Sequence, residues 1–369
     1  MKALRIIVLL LLPASLMAAN LPPIQTVFVI LMENHDWAEF KGSPSAPYLN
    51  STLLPMASHC EQYLGVPGLR PSLPNYLWLE AGTNFGIFDN ELPDVNHQST
   101  TNHLTAMLDA AGISWRTYQE DIDGTFVPLF YTNSYAPRHN PFIYFDDVTG
   151  TNDLNNAYGI AHNRPYTEFA ADLSNNTVAR YNFITPNLCN GGHDSCPTNY
   201  DPVLQTDNWL ASEMPQILAS AAYQSNGAVF ITWDEPTEDN APIGMIVVSP
   251  LARGGGYSNS IQYTHGSLLR TVQEIFGVKP MLGDAANAAD LSDLFLQLGF
   301  SDVVKLPEGG IRLTATTVLP GRTNVIQASS NLADWVSVFT NSAPTNSFTF
   351  TDNSATNSTL GFYRLLQLP

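Results

Sequence analysis

Positive charge is scarce in this chain: 15 lysines and arginines stand against 33 aspartates and glutamates, a formal net charge of −18 over 369 residues. Such a surface repels nucleic acid and anionic bilayers, so neither is an expected partner. The same charge serves the solubility of an exported protein, and it leaves any bound anion in need of a local cation. Cysteine is nearly absent, with Cys60, Cys189 and Cys196 alone. No CxxC pair accompanies them, which weakens a thiolate metal site. The short loop between Cys189 and Cys196 favours a local disulfide, with Cys60 left as a buried free thiol. A G-x-S-x-G elbow is also missing, which disfavours a metal-free serine hydrolase. Beyond the first twenty residues no segment is long and apolar enough to cross a bilayer.

At the start, Met1 to Arg5 is basic, Ile6 to Met17 is apolar, and Ala18-Ala19-Asn20 follows. That order reads as a signal peptide over residues 1–19 and places the mature chain outside the cytoplasm, secreted or periplasmic. Hydrophobic residues make up 44% of the chain, enough for one large α/β domain with an appendage.

Two apolar runs end in acids. Thr26 to Met32 leads into Glu33-Asn34-His35, and Ala228 to Trp233 leads into Asp234-Glu235. Runs of this composition read as strands buried on both faces, and ligands in open α/β sheets bind beyond the strands' carboxyl ends. Further strands are expected at Ser114–Tyr118, Tyr181–Thr185 and Gly244–Val248. Helices are expected over Leu49–His59, Leu73–Glu80, Thr101–Ala111, Trp209–Tyr223 and Gly266–Phe276. The alternation implies a doubly wound, mostly parallel sheet with helices on both faces, spanning residues 20–305. Composition changes after Pro307, and residues 306–369 read as a small all-β, sandwich-like module. This module resembles C-terminal tails of exported proteins, through Ser329 to Trp335 and Phe362-Tyr363-Arg364. Surface attachment, glycan contact and a passive spacer are its open roles.

Glu33, Asn34, Asp234 and Glu235 offer the oxygens that a hard divalent cation takes. Ser72, in Arg70-Pro71-Ser72-Leu73-Pro74-Asn75, is placed to cap the N-terminus of the following helix, where an anion is favoured. A metal beside it lowers its hydroxyl pKa and makes it a nucleophile. Asn75, a helical turn on, is placed to donate to a phosphoryl oxygen. Arg70 either binds a phosphate oxygen or points to solvent. His139, His193 and His265 are candidates to protonate a leaving oxygen, bind phosphate or ligate metal.

Six segments occur in one order: VFVILMENHDW, PSLPNYLWLEAG, YAPRHNPF, ITPNLCNGGHDSC, ITWDE and YTHGSLLRT. In this the chain resembles the bacterial phosphoesterase family of the alkaline phosphatase-like superfamily, which includes acid phosphatases and non-specific phospholipases C. The resemblance covers about Gln25 to Val278. It implies an alkaline phosphatase-like α/β domain and a divalent metal held by Glu33, Asn34, Ser72, Asp234 and Glu235. Ser72 is then the nucleophile, and His139, His193 and His265 line the phosphate pocket. Asp194 follows His193 as in the family's NDMHD pattern, and a second ion near His265, His193 and Asp194 is an option. Departures are Arg70, where relatives often carry His or Thr, and Pro236 after the acidic pair. The expected activity is hydrolysis of a phosphate ester, small molecule or phospholipid, through a phosphoseryl intermediate. Sulfate-ester hydrolysis is disfavoured because Leu73-Pro74-Asn75 follows the serine. The competing reading is a non-catalytic exported surface or glycan-binding protein on the same fold.

Overall fold

The computed structural model describes residues 21–368 apart from 198, 297, 317, 319, 320, 346 and 358–360. The expected signal peptide at 1–19 lies outside the described residues. The sheet is built from β1 (Thr26–Met32), β2 (Ser58–Cys60), β3 (Trp115–Gln119), β4 (Asn163–Pro165), β5 (Tyr181–Thr185), β6 (Gly227–Trp233), β7 (Met245–Val248) and β8 (Tyr257–Asn259). Their order across the sheet is β4-β3-β5-β1-β6-β7-β2-β8. β1 lies between β5 and β6 and runs parallel to both. β3 is parallel to β4 and β5, whereas β7 runs antiparallel to β6 and β2.

The uncharged runs of β1, β5 and β6 are buried almost throughout, as expected of strands covered on both faces. Two groups of helices supply the cover. In one, α1 (Ser72–Ala81), α2 (Leu104–Ala110) and α5 (His265–Phe276) touch one another; in the other, α3 (Phe169–Asn175) packs on α4 (Pro202–Ala219). This is the doubly wound, mostly parallel α/β domain expected from the alternation of runs.

Local differences have local causes. The helical stretch from Leu49 stops at Met56, because Ser58–Cys60 is drawn into the sheet between β7 and β8. α4 starts seven residues earlier than the apolar spacing suggests: Asp201 accepts from Leu204 N–H as N-cap and Pro202 follows. It ends before Ser220, which caps a separate turn over Ala221–Gln224.

Beyond the large sheet, β9 (Gly299–Lys305), β10 (Ile311–Thr316) and β13 (Ser347–Asp352) form one three-stranded sheet. β11 (Thr323–Ser329), β12 (Val336–Ser342) and β14 (Phe362–Leu368) form another. Phe339 of one stacks on Phe350 of the other at 4.5 Å between ring centroids, the contact of two facing sheets. The expected boundary at 305/306 misassigns residues 299–305. β9 pairs along its length with β10, so by pairing it belongs with the C-terminal sheets.

One buried network ties the far end of α1 to the chain before α2. His103 is stacked on Phe145 at 3.9 Å and lies 3.1 Å from both Glu80 Oε1 and Asp147 Oδ1. Burial opposes the imidazolium, but the bonds to Asp147 and Glu80 win and hold its pKa at about 9. A raised folded-state value stabilises fully below the unfolded value near about 6.5, and that contribution is lost as pH rises through about 9. The melting temperature of the wild type should therefore fall more steeply between about pH 7 and pH 9.5 than that of His103→Gln. Parallel pH profiles of the two proteins would contradict this role.

Candidate active site

The register of β1 against β6 pairs Met32 with Trp233, so Glu33 and Asp234 leave the same sheet edge side by side. Asp234 N–H bonds back to Met32 O at 3.0 Å. Asn34, at φ 21°, is locked by two bonds: its N–H donates to Asp234 Oδ1 (2.9 Å) and its Nδ2 to Glu235 Oε1 (2.8 Å). The second bond fixes the amide's orientation and leaves Oδ1 buried without a partner.

Ser72 is the first residue of α1, not its N-cap, which is Pro71. Its side chain is buried beside the Asp234 carboxylate, whose ionised form it favours. Tyr76, on the same face one turn later, donates to Glu33 Oε1 and stacks on His139 with centroids 5.1 Å apart. Glu33 Oε2 lies 3.1 Å from His139 Nε2 without hydrogen-bond geometry, so both atoms are buried without a hydrogen-bond partner.

The carboxylates carry the electrostatic mark of this crowding. Burial, then the neighbouring Asp234, pushes Glu33 well above the usual carboxylate range. Burial also raises Asp234. Burial and Asp234 together lift Glu235 to about 8. Three acids are thus packed where each opposes the others' ionisation, and a divalent cation is what such a group accommodates.

The oxygens fit one. Glu33 Oε2, Asn34 Oδ1 and Asp234 Oδ2 are all buried without partners at the sheet edge where the Ser72 hydroxyl also lies. Glu235 differs from the expectation, because each of its oxygens already accepts from an amide, Asn34 Nδ2 at 2.8 Å and Asn75 Nδ2 at 3.3 Å. Among the described residues no group of three or more His, Cys, Asp or Glu side chains is by itself arranged to hold a metal ion. The set here is instead two carboxylates, an amide oxygen and a hydroxyl.

Three expected substrate contacts are otherwise engaged. Asn75 uses its Nδ2 hydrogens on Leu69 O (3.0 Å), Pro71 O (3.3 Å) and Glu235, so it braces the turn before Ser72. Arg70 donates to the carbonyls of Pro236 and Thr237 and lies 3.4 Å from Asp239, clasping the loop that follows the acidic pair. His265 Nε2 donates to the Asp234 carbonyl at 2.6 Å, so its Nδ1 accepts from the Tyr63 hydroxyl at 3.2 Å. Burial lowers the His265 pKa to about 4. The ring is neutral and positions Asp234.

His193 and Asp194 sit in the loop closed by the Cys189–Cys196 disulfide, as the spacing suggested, and Cys60 is free and buried. This loop lies hard against the site. Glu33 N–H donates to Gly191 O (2.9 Å), and a Cβ on Gly191 would come within 3.3 Å of Glu33 Cγ. Arg138 Nη2, which only donates, lies 3.2 Å from His193 Nε2, so the ring hydrogen is on Nδ1 and goes to Asp194 Oδ1 at 2.7 Å. Asp194 thus orients His193. His139 and His193 have centroids 5.9 Å apart; burial, then Arg138 and His193, keeps His139 neutral. Tyr76 and Arg138 are additions that the sequence signalled only by position: one lies four residues after Ser72, the other adjoins His139.

The chain is similar to known proteins. The model of the Phosphoesterase family matches residues 60–279, more than half of the chain. The match takes in Ser72, Asp234 and His265 but begins after Glu33 and Asn34, which the fold brings to them. The chain is 28% identical over 282 residues to a phosphatidylinositol-3-phosphatase of Mycobacterium tuberculosis, covering 76% of this chain and 86% of that protein. It is 27% identical over 215 residues to a probable acid phosphatase of Kluyveromyces lactis, over 56% of this chain and 47% of that one. It is 25% identical over 262 residues to phospholipase C A of M. tuberculosis, over 60% and 48%. The chain thus spans about half the length of the fungal phosphatase and of the phospholipase. A protein of the alkaline phosphatase superfamily from Vibrio parahaemolyticus overlays on 80% of this chain and 78% of its own, with a TM-score of 0.49 at 9% identity.

Proposed function

The chain belongs to the phosphoesterase family, whose members hydrolyse phosphoric ester bonds, and from that premise we propose that it does so outside the cytoplasm as a metal-dependent enzyme acting through a phosphoseryl intermediate. The observation that carries the reading is the meeting of the Ser72 hydroxyl with three partnerless buried oxygens at one sheet edge. Glu33, Asn34, Asp234 and Ser72 would hold a divalent cation, with Glu235 and His265 fixing Asn34 and Asp234 in place. A bound cation supplies charge neutralisation and a lowered hydroxyl pKa.

Ser72 Oγ attacks phosphorus in line with the leaving oxygen, and its proton passes to the neighbouring Asp234 carboxylate. The P–O bond to the alcohol breaks as the Ser72–P bond forms. His193, held by Asp194 and exposed at the mouth of the site, protonates the departing alkoxide after taking up a proton from solvent. Water then attacks phosphorus with His193 as base, and Ser72 leaves, recovering a proton.

Phe130 and Tyr131, both half exposed, lie on the segment whose Tyr131 hydroxyl meets Arg138. They favour esters with an aryl or acyl portion, a description that takes in both small aryl phosphates and phospholipids. The basic and apolar start supports export, and no helix among the described residues is long and apolar enough to cross a membrane.

Hydrolysis of p-nitrophenyl phosphate by the purified chain should vanish after exhaustive chelation and return on adding back one divalent metal. Full activity in chelator with no bound metal would rule out the metal role.

A further inference from the structure

We propose that Arg138 is the anion-binding arm of this site, gripping the non-bridging oxygens of the transferred phosphoryl group and thereby favouring phosphomonoesters, as dianions, over phosphodiesters. This rests on the reading that the Ser72 cluster hydrolyses phosphate esters.

Four observations converge on Arg138. It lies on the turn Pro137–His139, directly before the histidine that faces Glu33. Its guanidinium meets His193 at 3.2 Å and the Tyr131 hydroxyl at 3.1 Å, both exposed contacts. Its charge is felt by Glu33, Tyr76 and His139, which places it close to the nucleophile's neighbours. And its Nε is buried with no partner at all.

Six of the chain's other arginines contrast with it; Arg180, Arg322 and Arg364 likewise face no carboxylate within 4.0 Å among the described residues, but Arg138 adjoins His139 and reaches His193. Arg70, Arg116, Arg164, Arg253, Arg270 and Arg312 each face a carboxylate within 4.0 Å. Among the described residues Arg138 has no such carboxylate, although the chain holds 33 acids. A guanidinium without a counter-charge, holding spare N–H groups at the mouth of a carboxylate-rich site, matches the planar fork that phosphate oxygens accept. It also answers the difficulty set by the acids, which on their own repel a doubly charged substrate. A diester presents one charge and fewer free oxygens, so it gains less from the same arm.

The test uses the full mature chain with Arg138→Ala and Arg138→Lys beside the wild type. Binding of inorganic phosphate is measured by calorimetry, and kcat/KM is measured for p-nitrophenyl phosphate and bis(p-nitrophenyl) phosphate. Arg138→Ala should weaken phosphate binding at least about 10-fold and cut monoester kcat/KM by about 100-fold, with the diester falling several-fold less. Arg138→Lys, which keeps the charge and loses the fork, should fold like the wild type and fall between the two. Added ethylguanidinium should restore part of the monoester rate to Arg138→Ala and none to Arg138→Lys. Unchanged phosphate binding in Arg138→Ala, or equal losses for the two esters, would overturn the proposal, and Arg138→Lys applies the same criteria if the alanine variant fails to fold. A wild type that hydrolyses neither ester, while Arg138→Ala still loses phosphate, would remove the catalytic reading and leave the anion site standing.

Discussion

Ser72→Ala should reduce turnover of p-nitrophenyl phosphate by at least about 10⁴-fold while leaving the fold intact. The size of the loss follows from the chemistry. Without Oγ no covalent intermediate forms, and only direct attack by water remains. The fold survives because Ser72 enters α1 at its first residue, and alanine is a good helix former there. What the variant loses structurally is one buried hydroxyl beside Asp234, a cost of about 1–3 kcal/mol at most. A melting temperature within several degrees of the wild type, with activity gone, separates a chemical role from a structural one. Residual activity above about one per cent would mean that another group attacks phosphorus.

Asp234→Asn should produce two effects of opposite sign. Activity should fall by at least about 10³-fold, because the substitution removes a charge from the cation's ligand set and the acceptor of the Ser72 proton. The metal-free protein should meanwhile become more stable. The asparagine Oδ1 can keep the bonds now made by Asn34 N–H (2.9 Å) and Glu235 N–H (2.7 Å), while one of three mutually repelling buried acids is neutralised. The sign with pH can be worked out. Folded-state pKa values raised above the unfolded ones, as for Glu33, Asp234 and Glu235, give stability that is present in acid and lost as pH climbs, for Glu235 through about 8. Stripped of metal, the wild type should therefore melt lower at about pH 8 than at about pH 5, and Asp234→Asn should shrink that difference. A stabilisation of about 1 kcal/mol corresponds to roughly 2–4 °C in a domain of this size. With saturating divalent metal the order should reverse, since the wild type alone gains the full ligand set. An Asp234→Asn protein that is less stable than the wild type in chelator would show that the carboxylates are not in unrelieved conflict.

The parts of this site that were legible in the sequence are those fixed by one strand or one helix. β1 and β6 announce themselves as uncharged apolar runs, and their acid tips follow from where the runs stop. Ser72 is marked by the helix that begins with it, and the Cys189–Cys196 loop by its shortness. Residues whose role depends on a partner far along the chain were not legible. Arg70 is spent on carbonyls more than 160 positions away, and His265 on a carbonyl 31 positions away. Nothing near either residue signals those partners. Asn75 differs for another reason: its spacing from Ser72 suggests a substrate contact, but its amide hydrogens are engaged by the turn that presents the serine. The β9 boundary failed because Gly299–Lys305 carries no break in composition before it, and only pairing with β10 assigns it.

The central claim is that Ser72 takes the phosphoryl group. The most direct measurement is to quench turnover of a rapidly hydrolysed aryl phosphate in acid, digest the protein and locate any phosphoryl group by mass spectrometry. One phosphoryl group on the peptide containing Ser72, absent from Ser72→Ala and dependent on added divalent metal, is the expected result. Burst-free turnover, with no phosphorylated Ser72 at any quench time and inversion at phosphorus when a chiral phosphate ester is used, would contradict it.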